Sequence, residues 1–175
     1  MATSYNGWPA SDDPNDIGVN RGWEPIKGHK FPGGIKKGDI EVIFTYLVIQ
    51  LDARVEPIEM YAPGDEWGYA FRDNVNNPGQ LSCHASATAI DYNATRHPNR
   101  KQYTWTRAQA REINKIINDE LDGVIKWLEG YDEMHFEARG TAAQIKKVAD
   151  KIRKGDDVTP AELKAAVEAA VKPMH

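Results

Sequence analysis

From Ile40 the apolar positions recur at Ile43, Phe44, Leu47 and Leu51, the spacing of one helical face. The pattern predicts a buried helix that ends near Ala53, with Asp39 as its N-cap. A second helical pattern starts at Thr106, which makes a capping box with Gln109. Ile113, Ile116, Ile117, Leu121, Val124 and Leu128 continue its apolar face, and Gly130 is expected to close it as the C′ residue. Elsewhere the period drops to two. Over residues 88–93, Ala87, Ala89, Asp91 and Asn93 would face one way and Thr88, Ile90 and Tyr92 the other. Residues 133–138 alternate again, with Met134 and Phe136 opposite His135 and Glu137. Two strands are expected there.

The rest of the chain reads as connections and a helical tail. Residues 4–38 carry Trp8, Trp23, Phe31 and several Pro and Gly. They are expected to wrap the domain and pin themselves by their aromatics. Pro63-Gly64 marks a turn, residues 67–72 a short strand, and Asn76-Asn77-Pro78-Gly79 another turn. Thr141 caps a helix reaching about Lys154, and Thr159-Pro160-Ala161-Glu162 opens a last one. Leu163, Ala166, Val167, Ala170 and Val171 give that last helix a small apolar stripe, expected to pack on the domain or lead to a linker. The expected fold is α+β: a small antiparallel sheet carrying the site, packed on helices on one face. Residues 1–140 would form the main domain and 141–175 a helical extension.

Composition narrows the function. The 175 residues suit one domain, the net charge is -4, and there is no dense Lys/Arg block, so nucleic acid is not an expected partner. The single cysteine, Cys83, excludes an intrachain disulfide. The polar residues 1–20 lack the basic start and apolar core of a secretory signal, and the apolar run 40–51 is too short to span a bilayer. Synthesis in the cytoplasm without an export signal, and no stable membrane insertion, are expected.

The chemistry concentrates in two places: Ser82 to Asp91, and Asp132-Glu133-Met134-His135. His84, Asp91 and His135 supply two imidazoles and a carboxylate, a set that holds zinc and leaves a fourth position for water. Asp91 and His135 fall on the strand faces opposite the large apolar residues, and Ala87 and Ala89 leave room there. Asp132, three residues before His135, is a candidate general base. A histidine alone is usually a polar or satisfied core residue, and that reading is expected for His29, His97 and His175. Strand alternation would turn Cys83 away from His84, leaving it a small, partly buried residue.

At these residues the chain resembles the D-alanyl-D-alanine carboxypeptidase-like peptidases, which include phage lysins that cut L-alanoyl-D-glutamate bonds. Ser82, His84, Ala89 and Asp91 match the family's first motif, Ser-x-His-x-x-Gly-x-Ala-x-Asp, and Ala87 stands where the motif has glycine. Asp132 and His135 match the second motif, and Trp67-Gly68-Tyr69-Ala70-Phe71-Arg72 resembles the segment that carries an arginine. Asn6-Gly7-Trp8-Pro9, Phe31-Pro32-Gly33-Gly34 and the run from Asp91 to Pro98 are similar to catalytic domains of actinobacteriophage endolysins. The resemblance extends from about Asn6 to Ala138.

It implies a zinc peptidase acting on the peptidoglycan stem peptide, as an L-Ala–D-Glu endopeptidase or a D-Ala–D-Ala carboxypeptidase. His84, Asp91 and His135 would hold zinc. Asp132 would move the proton, Arg72 would hydrogen-bond the substrate carbonyl, and Ser82 would orient a ligand or bind substrate backbone. The protein would act at the wall after release, as a monomer. The rival reading is a wall-binding module that keeps the fold without turnover; Ala87 is its one hint in the sequence.

Overall fold

The structure, a computed structural model, describes residues 1–155, so the helix expected from Thr159 onward and His175 lie outside the described residues. The opening segment forms two small antiparallel pairs: β1 (Ala2–Thr3) with β2 (Pro9–Ala10), and β3 (Val19–Asn20) with β4 (Ile35–Lys36). Helix α1 (Asp39–Arg54) follows, then the hairpin of β5 (Asp73–Asn74) and β6 (Asn77–Leu81). A 3-10 turn, Cys83–Ser86, leads into β7 (Ala89–Asp91). Helix α2 (Arg107–Lys115) runs into a π-helical turn, Ile116–Glu120. Strands β8 (Ile125–Leu128) and β9 (Asp132–Ala138) and helix α3 (Ala142–Lys154) are the last elements among the described residues. β9 lies between β7 and β8 and is antiparallel to both, which makes the architecture α+β.

α1 is the central helix. Ile43, Phe44, Leu47 and Leu51 have no exposed surface, and Val42 and Val48 are buried on its other sides. Burying each such side chain contributes about 1.5–3 kcal/mol. The opening segment covers the more polar side: Trp23 Nε1 donates to Thr45 Oγ1 at 3.0 Å, Asn20 Nδ2 donates to Glu41 at 2.9 Å, and the Trp23 and Phe31 rings meet at 4.7 Å. The expected aromatic pinning is therefore present. Ile90, Phe136 and Trp127 turn the back of the sheet onto the same core, which also takes Ile145, Val148, Ala149 and Ile152 of α3.

Four local expectations are corrected. Gly38, not Asp39, is the N-cap of α1; its φ of 88° suits glycine, and Asp39 instead puts its charge in the first turn. The helix expected to run to Leu128 stops early, because Asp122 and Gly123 are both left-handed (φ 48° and 69°). Residues 125–128 are a strand, with Ile125 and Trp127 buried and Lys126 and Leu128 half-buried. Gly130 (φ 74°) thus lies in the β8–β9 connection. The hairpin turn falls at Val75-Asn76, and Pro78 and Gly79 lie within β6. Among the described residues that ribbon has two strands, so Pro78 sits at an edge where its missing N–H is tolerated. Residues 67–72 make no regular strand. Trp67 pairs with Asp91, but Gly68, Tyr69 and Ala70 donate to Pro32, Gly34 and His84 respectively.

Candidate metal centre

Pairing of β7 with β9 sets Asp91 directly opposite His135, Ile90 opposite Phe136, and Ala89 opposite Glu137. Side chains of directly opposed residues share a face. Asp91 and His135 therefore meet on the cleft side while Ile90 and Phe136 fill the core. His84 comes from the 3-10 turn rather than a strand. The Ser82 hydroxyl caps that turn by accepting the His84 N–H at 3.3 Å. Ala87 closes it in the left-handed region, φ 54° and ψ 36°, and its N–H donates to the His84 carbonyl at 3.0 Å. Ala87 itself takes the conformation a glycine would favour.

Gly68, packed against Gly34 of the opening segment, orients His84. Gly68 lies so close to Gly34 that a Cβ on Gly68 would come within 2.1 Å of the Gly34 carbonyl oxygen. This approach presents the Gly68 carbonyl to His84 Nδ1 at 2.6 Å. A carbonyl only accepts, so Nδ1 carries the hydrogen and Nε2 of the neutral ring is a lone pair. On His135 the order is reversed. Nε2 lies 3.1 Å from Glu137 Oε2, so Nε2 donates and Nδ1 is the lone pair.

The two lone pairs and an Asp91 oxygen converge. His84 Nε2 is 3.1 Å from His135 Nδ1, His135 Nδ1 is 3.1 Å from Asp91 Oδ1, and His84 Nε2 is 3.3 Å from Asp91 Oδ1. All three residues are buried. Three facing acceptors repel one another unless a cation sits among them. Without a metal, a proton takes that place. Burial lowers the affinity of His135 for a proton, but its hydrogen bonds with Asp91, which accepts, and with Cys83 and Glu137 outweigh it, and its pKa rises well above the ordinary histidine value. Burial would raise the Asp91 carboxyl, but the charges and hydrogen bonds of His84 and His135 prevail and hold it far below the usual carboxylate range. The three side chains lie close enough to hold a metal ion.

A cleft of about 300 Å³ lies over this cluster, and Arg72, Ser82 and Asp132 line it with the three candidate ligands. Asp132 is 6% exposed, and its buried Oδ1 has no hydrogen-bond partner among the described residues. Burial first, and the Asp91 charge after it, push its carboxyl up against the opposing pull of His135, His84 and Arg72. Arg72 is exposed, and its carbonyl accepts from Ser82 N at 3.0 Å, which ties the arginine to the motif. The neighbouring Glu133 faces elsewhere: it accepts from Tyr103 N, Thr104 N, the Thr104 hydroxyl and Gly130 N, holding the loop before α2.

Other sequence expectations sort cleanly. His97 is fully buried, stacks on Trp105 with ring centroids 3.5 Å apart, and bonds Thr104 and Glu56: a satisfied core histidine. His29 pairs with Glu59 at 2.8 Å. Cys83 is a correction. The 3-10 turn breaks the alternation that was to direct it away, so it is fully buried beside the cluster and its Sγ donates to Glu137 Oε2 at 3.1 Å. The alternation places Glu137 on the His135 face but assigns it no task; the His-x-Glu spacing on one strand is the signal that could have found it. Among the described residues, no helix is long and apolar enough to cross a membrane.

No family model, curated protein or solved structure matches the chain.

Proposed function

We propose that the chain is a zinc-dependent hydrolase of an amide bond in the peptidoglycan stem peptide. The observation that carries the reading is the convergence of three buried acceptor atoms on one point, with the unpartnered Asp132 Oδ1 in the same cleft. Two imidazoles and a carboxylate match the ligand preference of zinc in catalytic sites. The spacing fits as well. Ligands held tetrahedrally at about 2.0–2.1 Å stand about 3.3 Å apart, against the 3.1–3.3 Å found here. The substrate class rests on the resemblance of the Ser82–Asp91 and Asp132–His135 motifs to the D-alanyl-D-alanine carboxypeptidase-like peptidases.

When bound, zinc supplies Lewis acidity, which polarises the scissile carbonyl and allows water to attack near neutral pH. Asp132 takes a proton from the attacking water on Oδ1. As the carbon–nitrogen bond breaks, it passes that proton to the leaving nitrogen, giving a free amine and a carboxylate. Burial prepares Asp132 for this by raising its affinity for the proton. Arg72 donates to the carbonyl oxygen as negative charge builds there, a contribution of about 3 kcal/mol for one well-placed donor. Ser82 keeps the His84 turn in shape. Ala87 adopts the left-handed conformation that closes that turn, so the departure from glycine leaves the His84 turn formed.

The test is digestion of purified cell wall, with release of new amino groups as readout and mass spectrometry of defined muropeptides to locate the cut. Wild type should release amines in a chelator-sensitive way, and Asp132→Ala should not. Equal release from both would refute the reading.

A further inference from the structure

We propose that Glu137 is a positioning residue that fixes His135 as an Nδ1 metal ligand, and that Cys83 and Lys126 hold Glu137 in place for that task. The inference rests on the metal-centre reading above.

Residues two apart on a strand share a face, so Glu137 stands beside His135 on the cleft side of β9. The residue opposite it on β7 is Ala89, whose methyl leaves room for the Glu137 chain to lean along the strand toward the imidazole. Opposite it on β8 is Lys126. Each Glu137 oxygen is thereby engaged. Oε2 accepts from His135 Nε2 at 3.1 Å and from Cys83 Sγ at 3.1 Å, and Oε1 lies 3.7 Å from Lys126 Nζ. Cys83 directly precedes His84 in the chain. Its thiol therefore joins the turn that carries one candidate ligand to the carboxylate behind the other.

The consequence is geometric. A carboxylate accepts and never donates, so the ring nitrogen facing Glu137 carries the hydrogen and the other nitrogen faces Asp91 and His84. His135 is 7% exposed, and Glu137 Oε2 is the acceptor that its Nε2 meets. Removing it leaves a buried N–H unsatisfied and the ring free to turn away from the metal position. Outer partners of this kind are typically worth about 10–100-fold in metal affinity.

The experiment is competitive titration of the metal-free protein with zinc against a chromophoric chelator, for wild type, Glu137→Met and Glu137→Gln. The absorption spectrum of the cobalt-substituted forms is recorded alongside. Glu137→Met should bind zinc about 10–100-fold more weakly, with an altered cobalt spectrum. Glu137→Gln keeps an oxygen acceptor and should fall between it and wild type. A merely structural role would lower the thermal midpoint of the metal-free variants without this graded order. Wild-type affinity in Glu137→Met, or a Gln variant no better than Met, overturns the proposal. Should Glu137→Met fail to fold, Glu137→Gln decides: weakened zinc binding supports the proposal and unchanged binding overturns it. No substrate enters the measurement, so failure to cleave cell wall would leave this result standing, and the reverse also holds.

Discussion

Asp91 and His135 are directly opposed across the β7–β9 pair, with Oδ1 and Nδ1 3.1 Å apart. A register slip of one residue would throw one of them onto the core face. The packing of Ile90 and Phe136, both fully buried on the reverse face, forbids that slip. The hydrophobic core thus sets the geometry of the polar cluster.

Zinc affinity should depend on pH with a definite sign. In the metal-free protein His135 has a raised pKa, so the position between the ligands is protonated well above the ordinary histidine range. Binding must displace that proton. Affinity should therefore rise with pH through the raised pKa and fall on acidification. Titrations with zinc at a series of pH values check this, and a flat profile would contradict it.

Asp132→Asn should separate binding from turnover. Asp132 takes no part in the three-atom convergence, so zinc affinity should stay close to wild type. Loss of the proton carrier should lower the rate of amine release by about 10²–10⁴-fold. Parallel zinc titration and cell-wall digestion give both numbers.

Gly68→Ala should damage the metal centre from a distance. Its Cβ would stand 2.1 Å from the Gly34 carbonyl oxygen, a backbone atom that cannot swing aside. The segment must shift, and with it the carbonyl that accepts from His84 Nδ1. The expected outcome is a loss of about 1–3 kcal/mol in stability, as for other overpacked sites, together with weaker zinc binding. Denaturant unfolding and zinc titration measure the two effects.

Glu66 should make the fold less stable as pH rises. It is 1% exposed, and burial first, aided by the Asp65 charge, raises its pKa from 4.5 to about 7 despite the N–H of Glu59. Between those values the folded state keeps a proton that the unfolded chain has lost. The folded state is thus favoured below 4.5, progressively penalised across the window, and fully penalised above about 7. Glu66→Gln removes the titration. Its advantage over wild type should open across that window, reach roughly 1–3 kcal/mol at alkaline pH, and vanish in acid. Unfolding curves at both ends of the range test it.

The Asp91 and His135 part of the cluster is legible in the sequence because strand alternation is strict, whereas His84 sits on a 3-10 turn. Once Asp91 and His135 were placed opposite the apolar residues, antiparallel pairing could bring them together, and it does. α1 was legible from its spacing, and α3 from Thr141, which makes a full capping box with Gln144. What escaped depends on backbone conformation or distant partners. The apolar positions 121, 124 and 128 fit a helical period, but the Asp122-Gly123 pair breaks the helix, and Lys126 then belongs to a strand beside Glu137. Residues 67–72 read as a strand, but 67–70 share their hydrogen bonds among three segments of the chain. The role of Gly33, Gly34 and Gly68 is close backbone approach, which no periodicity reveals. Cys83 was misdirected because a 3-10 turn replaced the expected alternation.

The most direct measurement is a zinc titration of metal-free protein by calorimetry, beside the same titration of His84→Ala, Asp91→Ala and His135→Ala. One tight site per chain in wild type, lost in each of the three variants, is the predicted result. Absence of saturable binding in wild type, or tight binding that survives in the Asp91→Ala and His135→Ala proteins, would contradict the account.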